Sequence, residues 1–307
     1  MAKRLLEGRV AVVTGSGNGI GRAEAKLMAK HGAKVVVNDI GTTTEGIGTS
    51  RSFADNVVKE IKDAGGEAIA NYDSVAEEKS AENIIQAAVD KWGRIDILVN
   101  NAGVIRDPYD IYEMPTENWE ITMRTHLYHC FFCSRAASRY MMKQKYGRII
   151  CTSSHTGFGW RGFTAYSAVK EGITGFTRTL ARDLVDFGVT ANAIRPLAAW
   201  RGTPADKMAP FMKLNTPEEI APLTVYLATE QAGNINGRIF EVWKGHVGIF
   251  VEPPPVEQVI TKEGSFTPED LIKMMPQTLA KGLVATEFAP TMSTGGGGHA
   301  EKSPRNH

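Results

Sequence analysis

The chain has 307 residues, enough for one large α/β domain with an appendage or for two small domains. Its 35 Lys and Arg balance 34 Asp and Glu, and a formal charge of +1 gives no reason to expect nucleic acid as a partner, so small-molecule chemistry is the better default. Cys130, Cys133 and Cys151 make no even secreted-type set, and no run approaches the roughly 18–20 apolar residues that span a bilayer, so a soluble cytoplasmic protein with reduced thiols and no membrane partner is expected.

The amino terminus runs straight into a strand pattern rather than an apolar signal core. Residues 9 to 16 are rich in Val and end in Gly, as a parallel strand buried on both faces would. Residues 20 to 31 read as a helix closed by Gly32, and a second buried strand runs to Asn38 and Asp39. Between the first strand and the helix lies Thr14-Gly15-Ser16-Gly17-Asn18-Gly19-Ile20-Gly21. Gly15 permits a tight turn, Gly19 lets the backbone approach a ligand, and Gly21 lets the helix pack closely, leaving the helix start free for a pyrophosphate. A flexible turn would use the same glycines, but their place between strand and helix favours a nucleotide site. Asp39 stands roughly 20 residues beyond the turn, where a carboxylate can accept from a ribose diol and repel a 2′-phosphate. The cofactor reading is therefore NAD rather than NADP, with a turn-capping role for Asp39 as the alternative.

The alternation continues with a helix over 53–64, a strand over 67–72 ending at Asp73, a helix over 77–92 and a strand over 95–99 that delivers Asn100-Asn101-Ala102-Gly103. Such alternation indicates right-handed crossovers and a parallel sheet, with ligands at the carboxyl ends of the strands. Asp73 then lies where it could meet an adenine amino group. After a helix over 119–143, a strand over 147–154 carries Ser153 and Ser154 at its end. The next helix sets Tyr166 and Lys170 on one face. Alcohol oxidation needs a base, and a phenol near pKa 10 serves at neutral pH only if a cation stabilises its phenolate. Lys170 could lower the Tyr166 pKa, while Ser154 holds the substrate oxygen. A surface Tyr/Lys pair after a polar turn is the plainer reading of that stretch alone.

The TGxxxGxG turn, the Asn-Asn-Ala-Gly loop, the strand-end serine and the Tyr-x-x-x-Lys helix together resemble the short-chain dehydrogenase/reductase family. The resemblance implies a single Rossmann-type doubly wound parallel sheet and an NAD-dependent oxidoreductase of secondary alcohols and ketones, with Tyr166 as acid/base. It assigns catalysis to Ser154, Tyr166 and Lys170, with Ser153 as the alternate serine because family spacing favours it. Cofactor contacts fall to Gly15, Asn18, Gly19, Ile20, Gly21, Asp39, Asp73, Ser74, Val75, Asn101, Ala102, Gly103, Tyr166, Lys170, Pro196 and Thr203. Within the family, VVVNDIG, the stretch from Ala68 to Ala76, and residues 238–245 resemble the (3R)-hydroxyacyl-CoA dehydrogenase portion of peroxisomal multifunctional enzyme type 2. That resemblance covers about residues 5 to 290 and implies a 3-hydroxyacyl-CoA substrate and a homodimer, with a tetramer as the alternative.

Two departures qualify it. His126 stands where many members have asparagine, and either relays protons from Lys170 or packs. Pro196-Leu197 replaces a common Pro-Gly, and the stretch from Trp200 to Leu214, with Met208, Phe211 and Met212, reads as a lid or as core. His126, His129, Cys130 and Cys133 share metal-like spacing, but helix packing uses the same residue types and no metal is expected. Leu127, Tyr128, Phe131 and Phe132 spread round that helix as if a neighbour covered it.

The domain division is expected at 1–250 for the catalytic domain and 251–294 for an extension lying on it or on a partner. Residues 295–307 are expected to be disordered. Pro253-Pro254-Pro255 forces an extended chain, Thr267-Pro268-Glu269-Asp270 starts a helix, and no carboxyl-terminal SKL address is present. A cyclic or aromatic alcohol without coenzyme A, suggested by Phe158, Trp160, Phe163 and Trp200, is the competing substrate class. A scaffold that lost catalysis is the competing function.

Overall fold

The computed structural model describes residues 4–199, 215–283 and 285, which group into one unit ending at Phe250 and another beginning at Val251. In the first unit, strands β1 (Val10–Thr14), β2 (Lys34–Asn38), β3 (Glu67–Asn71), β4 (Ile97–Asn100), β5 (Gly147–Thr152), β6 (Val189–Pro196), β7 (Ile239–Trp243) and β8 (His246–Ile249) form one sheet in the order β3-β2-β1-β4-β5-β6-β7-β8. Every pairing from β3 to β7 is parallel, and only β8 runs antiparallel, as the return of a hairpin on β7. The sheet is thus the doubly wound, mostly parallel one that the sequence pattern led us to expect, with β8 as an antiparallel addition at one edge. The chain order turns back at β1 and β4, so a crevice opens at the carboxyl ends of those neighbours.

The helices are α1 (Gly19–Lys30), α2 (Ser52–Asp63), α3 (Glu78–Trp92), α4 (Thr116–Met123), α5 (His129–Gln144) and α6 (Thr164–Leu184), followed by a short helix over Ala221–Leu227. Successive strand residues serve opposite cores, because side chains alternate across a sheet. Ala11, Val13, Val35, Val37 and Ile150 pack under α1 and α2, whereas Val10, Val12, Val36, Ile149 and Cys151 pack with α3, α5 and α6. Burial on both faces explains why these strands read as continuous apolar runs.

The helix expected over 119–143 is a composite, α4 and α5 joined by a π turn at Arg124–Tyr128. Thr122 and Thr125 hydroxyls donate to the Asn118 and Ile121 carbonyls at 2.7 Å each, back-bonding of a kind that bends and loosens helices. The wide turn carries His126 inward, and π turns recur at functional sites. In the second unit Thr267 and Asp270 form a reciprocal capping box at the start of the helix Pro268–Met274, as their spacing predicts. Among the described residues no helix is long and apolar enough to cross a membrane.

Candidate active site

The glycine-turn end of the crevice is built mostly from backbone. Gly15 has a φ of 61°, and a Cβ there would lie 2.7 Å from the Ala102 Cα, so conformation and space both demand glycine. Asn18 caps α1 by accepting the Gly19 N–H at 2.6 Å. Gly19 has a φ of 55°, and apart from its chain neighbours and its own helix backbone nothing lies within 4 Å of where its Cβ would stand, so this side of the start of α1 is open. A Cβ on Gly21 would meet the Gly15 carbonyl at 2.5 Å, and Ile20 packs against the core behind the turn. An open helix start flanked by glycine fits a diphosphate, which needs N–H donors and close approach.

Thr14 ties this turn to the β4 loop. Its hydroxyl accepts the Asn101 and Ala102 N–H groups at 3.0 and 3.2 Å and reaches the Val99 carbonyl at 3.1 Å. The Asn101 amide donates back to the Thr14 and Gly15 carbonyls at 2.9 and 3.1 Å. Asn100 points the other way, into the core, toward Ser134 and Cys151. Asp39 accepts the Gly17 and Gly41 N–H groups at 2.8 and 2.7 Å, which fixes its carboxylate beside the glycine turn. Asp73 accepts the Asn71 amide at 2.7 Å, the Ser74 hydroxyl accepts the Ala76 N–H at 3.2 Å, and Val75 packs on the core. Pro196 ends β6, and Leu197 continues its pairing by donating to the Val242 carbonyl at 2.9 Å. Among the described residues Lys145 is the one non-glycine with positive φ, so Leu197 takes a different path from a left-handed turn. Thr203, Trp200, Met208, Phe211 and Met212 lie outside the described residues.

The neighbouring end is built from side chains. Ser153 and Ser154 separate here, since Ser153 is 1% exposed and its hydroxyl donates to the Lys170 carbonyl at 2.7 Å. Ser154 opens a short turn, accepts the Thr156 N–H at 3.2 Å and hydrogen-bonds the Tyr166 phenol. The Lys170 ammonium donates to the Thr152 carbonyl at 2.7 Å and lies 5.3 Å from the centre of the Tyr166 ring. Burial pushes the lysine down to about 8. Tyr166 is pushed up to about 12, by burial first, with the Ser154 hydrogen bond opposing and the Asp107 charge adding to the rise. The sequence led us to expect Lys170 to lower the phenol, but desolvation prevails, and the phenol is protonated at neutral pH.

His126 is 3% exposed, and its Nε2 lies 3.1 Å from the Val104 N–H nitrogen and 2.8 Å from the Val104 carbonyl oxygen. The imidazole meets the Tyr166 ring edge-to-face at 5.3 Å, and burial, reinforced by the Lys170 charge, holds it neutral. Gly103 is pressed on this ring, since a Cβ there would be 2.1 Å from His126 Cε1. His129 turns instead to the Thr14 hydroxyl at 2.9 Å, and Cys130 and Cys133 sit in the core, so the helix's four metal-like residues disperse. Among the described residues no group of three or more His, Cys, Asp or Glu could hold a metal. Asp107 was not singled out from the sequence, because an Asp-Pro pair after a loop looks like any turn. Its carboxylate accepts the Tyr166 backbone N–H at 3.3 Å.

The family model described as short chain dehydrogenase matches residues 9–204. A peroxisomal hydratase-dehydrogenase-epimerase of Neurospora crassa is 41% identical over 279 residues, 90% of this chain but 31% of that protein, so the chain spans about a third of that relative's length. A short-chain type dehydrogenase/reductase of Mycobacterium tuberculosis is 40% identical over 85% of this chain and 95% of its own. The crystal structure of a short chain dehydrogenase from Mycobacterium avium superposes with a TM-score of 0.79 at 38% identity, covering 90% of this chain and 96% of that one. A hydroxyacyl-CoA dehydrogenase of Mycobacterium tuberculosis is 35% identical over 87% of each chain. The expectation of a cytoplasmic location is corrected here. The Neurospora relative and four others at 41–44% identity carry peroxisomal names, which points to that compartment.

Proposed function

The chain belongs to the short-chain dehydrogenase family, and from that premise we propose that it interconverts a (3R)-hydroxyacyl-CoA and its 3-oxoacyl-CoA using NAD. It is an NAD(P)-linked oxidoreductase acting on a hydroxyl or keto group. The observation that carries the hydroxyl/keto chemistry is the meeting of Tyr166 and Lys170 on α6 with Ser154 just beyond the end of β5.

Gly15, Asn18, Gly19 and Asn101 would hold the diphosphate side of the cofactor, Asp39 the adenosine ribose and Asp73 the adenine. Bound NAD supplies the acceptor for the hydride that leaves the carbinol carbon. Ser154 orients the substrate oxygen, and Tyr166 exchanges its phenolic proton with that oxygen. In the reductive direction Tyr166 arrives protonated; in oxidation the Lys170 ammonium, 5.3 Å from the ring, is the cation that would stabilise the phenolate as the proton is taken up. His126 stays neutral and backs the Tyr166 ring. The carboxylate of Asp39 favours NAD, since a 2′-phosphate would meet it as like charge.

The names of the Neurospora and mycobacterial relatives support the acyl-CoA class. We read the assembly as a homodimer through the helix that exposes Tyr128 and Phe131, and residues 1–250 as the catalytic domain with a separate extension from 251. Phe158 and Trp160, each more than 40% exposed on the loop after Ser154, favour a flat alcohol as the second reading. The test is NAD reduction with (3R)- and (3S)-hydroxyacyl-CoA, the matching free hydroxy acids, and simple cyclic and aromatic alcohols at equal concentration. A kcat/KM for the (3R)-thioester about 100-fold above the others is expected. Activity confined to alcohols without coenzyme A rejects the thioester reading.

A further inference from the structure

The helix that carries Tyr166 and Lys170 begins without a cap of its own. α6 starts at Thr164, and the residue before it, Phe163, has no side chain able to accept from the first turn. The first N–H groups of a helix have no partner inside it, and an uncapped start frays unless another group accepts from them. Tyr166 is the third residue of α6, so its N–H is one of these orphans. The Asp107 carboxylate, from the loop after β4 and 59 positions away in sequence, accepts that N–H at 3.3 Å.

The contact is part of a wider splice between the two segments. The Tyr109 N–H donates to the Gly162 carbonyl at 2.8 Å, Tyr109 and Phe163 form a parallel bridge, and a Cβ on Gly162 would stand 3.0 Å from the Pro108 Cβ. The β4 loop therefore runs from the cofactor side, at Asn101, directly to the first turn of the catalytic helix. A negative group at a helix start is also favoured by the helix dipole.

We propose that Asp107 is a positioning residue, a cap supplied from a distant segment that fixes the first turn of α6 and so sets the Tyr166 hydroxyl against Ser154 and the substrate oxygen. This inference rests on the reading of Tyr166 as the proton carrier. Among the described residues the groups facing the phenol are Lys170 from its own helix, the neutral His126 from the π turn, Ser154 from the β5 loop, and Asp107, whose negative charge opposes ionisation of the phenol. Nearby Arg106 is engaged with the Glu45 carbonyl, and Arg161 pairs with Asp110.

Two substitutions separate the cap from the charge. Asp107→Ala removes both and should lower kcat roughly tenfold to a hundredfold, as misplacement of a reacting group does, with the NAD dissociation constant unchanged. Amide hydrogen exchange at Thr164 to Tyr166 should rise in the same variant. Asp107→Asn keeps an acceptor oxygen and should restore most of kcat and the slow exchange, while the kcat against pH profile moves to lower pH because the charge that opposes phenol ionisation is gone. Wild-type kcat in Asp107→Ala, unchanged exchange, or an unmoved pH profile in Asp107→Asn would overturn the proposal. If Tyr166→Phe kept turnover while exchange still rose in Asp107→Ala, the proton-carrier reading would fail and the catalytic purpose of the cap with it.

Discussion

The two ends of the strand-end crevice are held by different means. At the dinucleotide end, Gly15, Gly19, Asn101 and Asp39 are fixed by main-chain hydrogen bonds and by a glycine conformation that no other residue adopts cheaply. At the catalytic end, Tyr166, Lys170 and His126 are fixed by desolvated side-chain contacts from the β4 loop, the π turn, β5 and α6. The first arrangement binds a group common to many reactions through backbone geometry. The second shifts proton affinities, burial driving the Tyr166 phenol up to about 12 and the Lys170 ammonium down to about 8.

If that division is right, substitutions should sort by end. Lys170→Ala should cut kcat by roughly 10²–10⁴, the range for losing a group that supports proton transfer, with fold and melting temperature little changed; steady-state kinetics and calorimetry would show it. Gly15→Ala should act on folding and cofactor affinity together, since a Cβ would strike Ala102 and the φ of 61° is strained for alanine. A loss of about 1–3 kcal/mol in denaturant unfolding is expected. Asp39→Ala should weaken NAD about tenfold and leave NADP unchanged or tighter, and equal losses for both would remove the carboxylate from ribose recognition.

A quieter contrast lies behind the dinucleotide end. Glu24 on α1 is wholly buried and accepts from the Thr224 hydroxyl at 2.7 Å, and burial raises its pKa to about 8. The folded protein keeps it protonated where the unfolded chain ionises it, so stability is fully present below about 4.5 and is lost as pH climbs toward 8. Glu24→Gln should therefore match wild type near pH 4.5 and be more stable by a few kcal/mol above pH 8, measured as unfolding free energy across that window.

The same contrast governs how much could be read in advance. The β1 to β5 run, the glycine turn, Asn101 and the Tyr166–Lys170 pair were legible because each is a local pattern whose spacing carries its meaning. The strands β6 and β7 were not marked although nearly every residue in them is buried, whereas β8 is short and half-exposed and its antiparallel return depends on pairing with β7, which no local period encodes. The choice between Ser153 and Ser154 was open because adjacent strand residues face opposite sides, and only the Lys170 carbonyl shows which hydroxyl is already engaged. His126 was legible as a departure, but its Val104 partner and π turn were not. Asp107 was invisible because its partner is 59 positions away.

The central claim is that Tyr166 exchanges its phenolic proton with the substrate oxygen. The direct measurement is Tyr166→Phe, with NAD affinity by fluorescence titration and turnover on the preferred alcohol in the same preparation. The account predicts an NAD dissociation constant within about threefold of wild type and a kcat lower by roughly 10²–10⁴. Near-wild-type turnover with intact cofactor binding would contradict it.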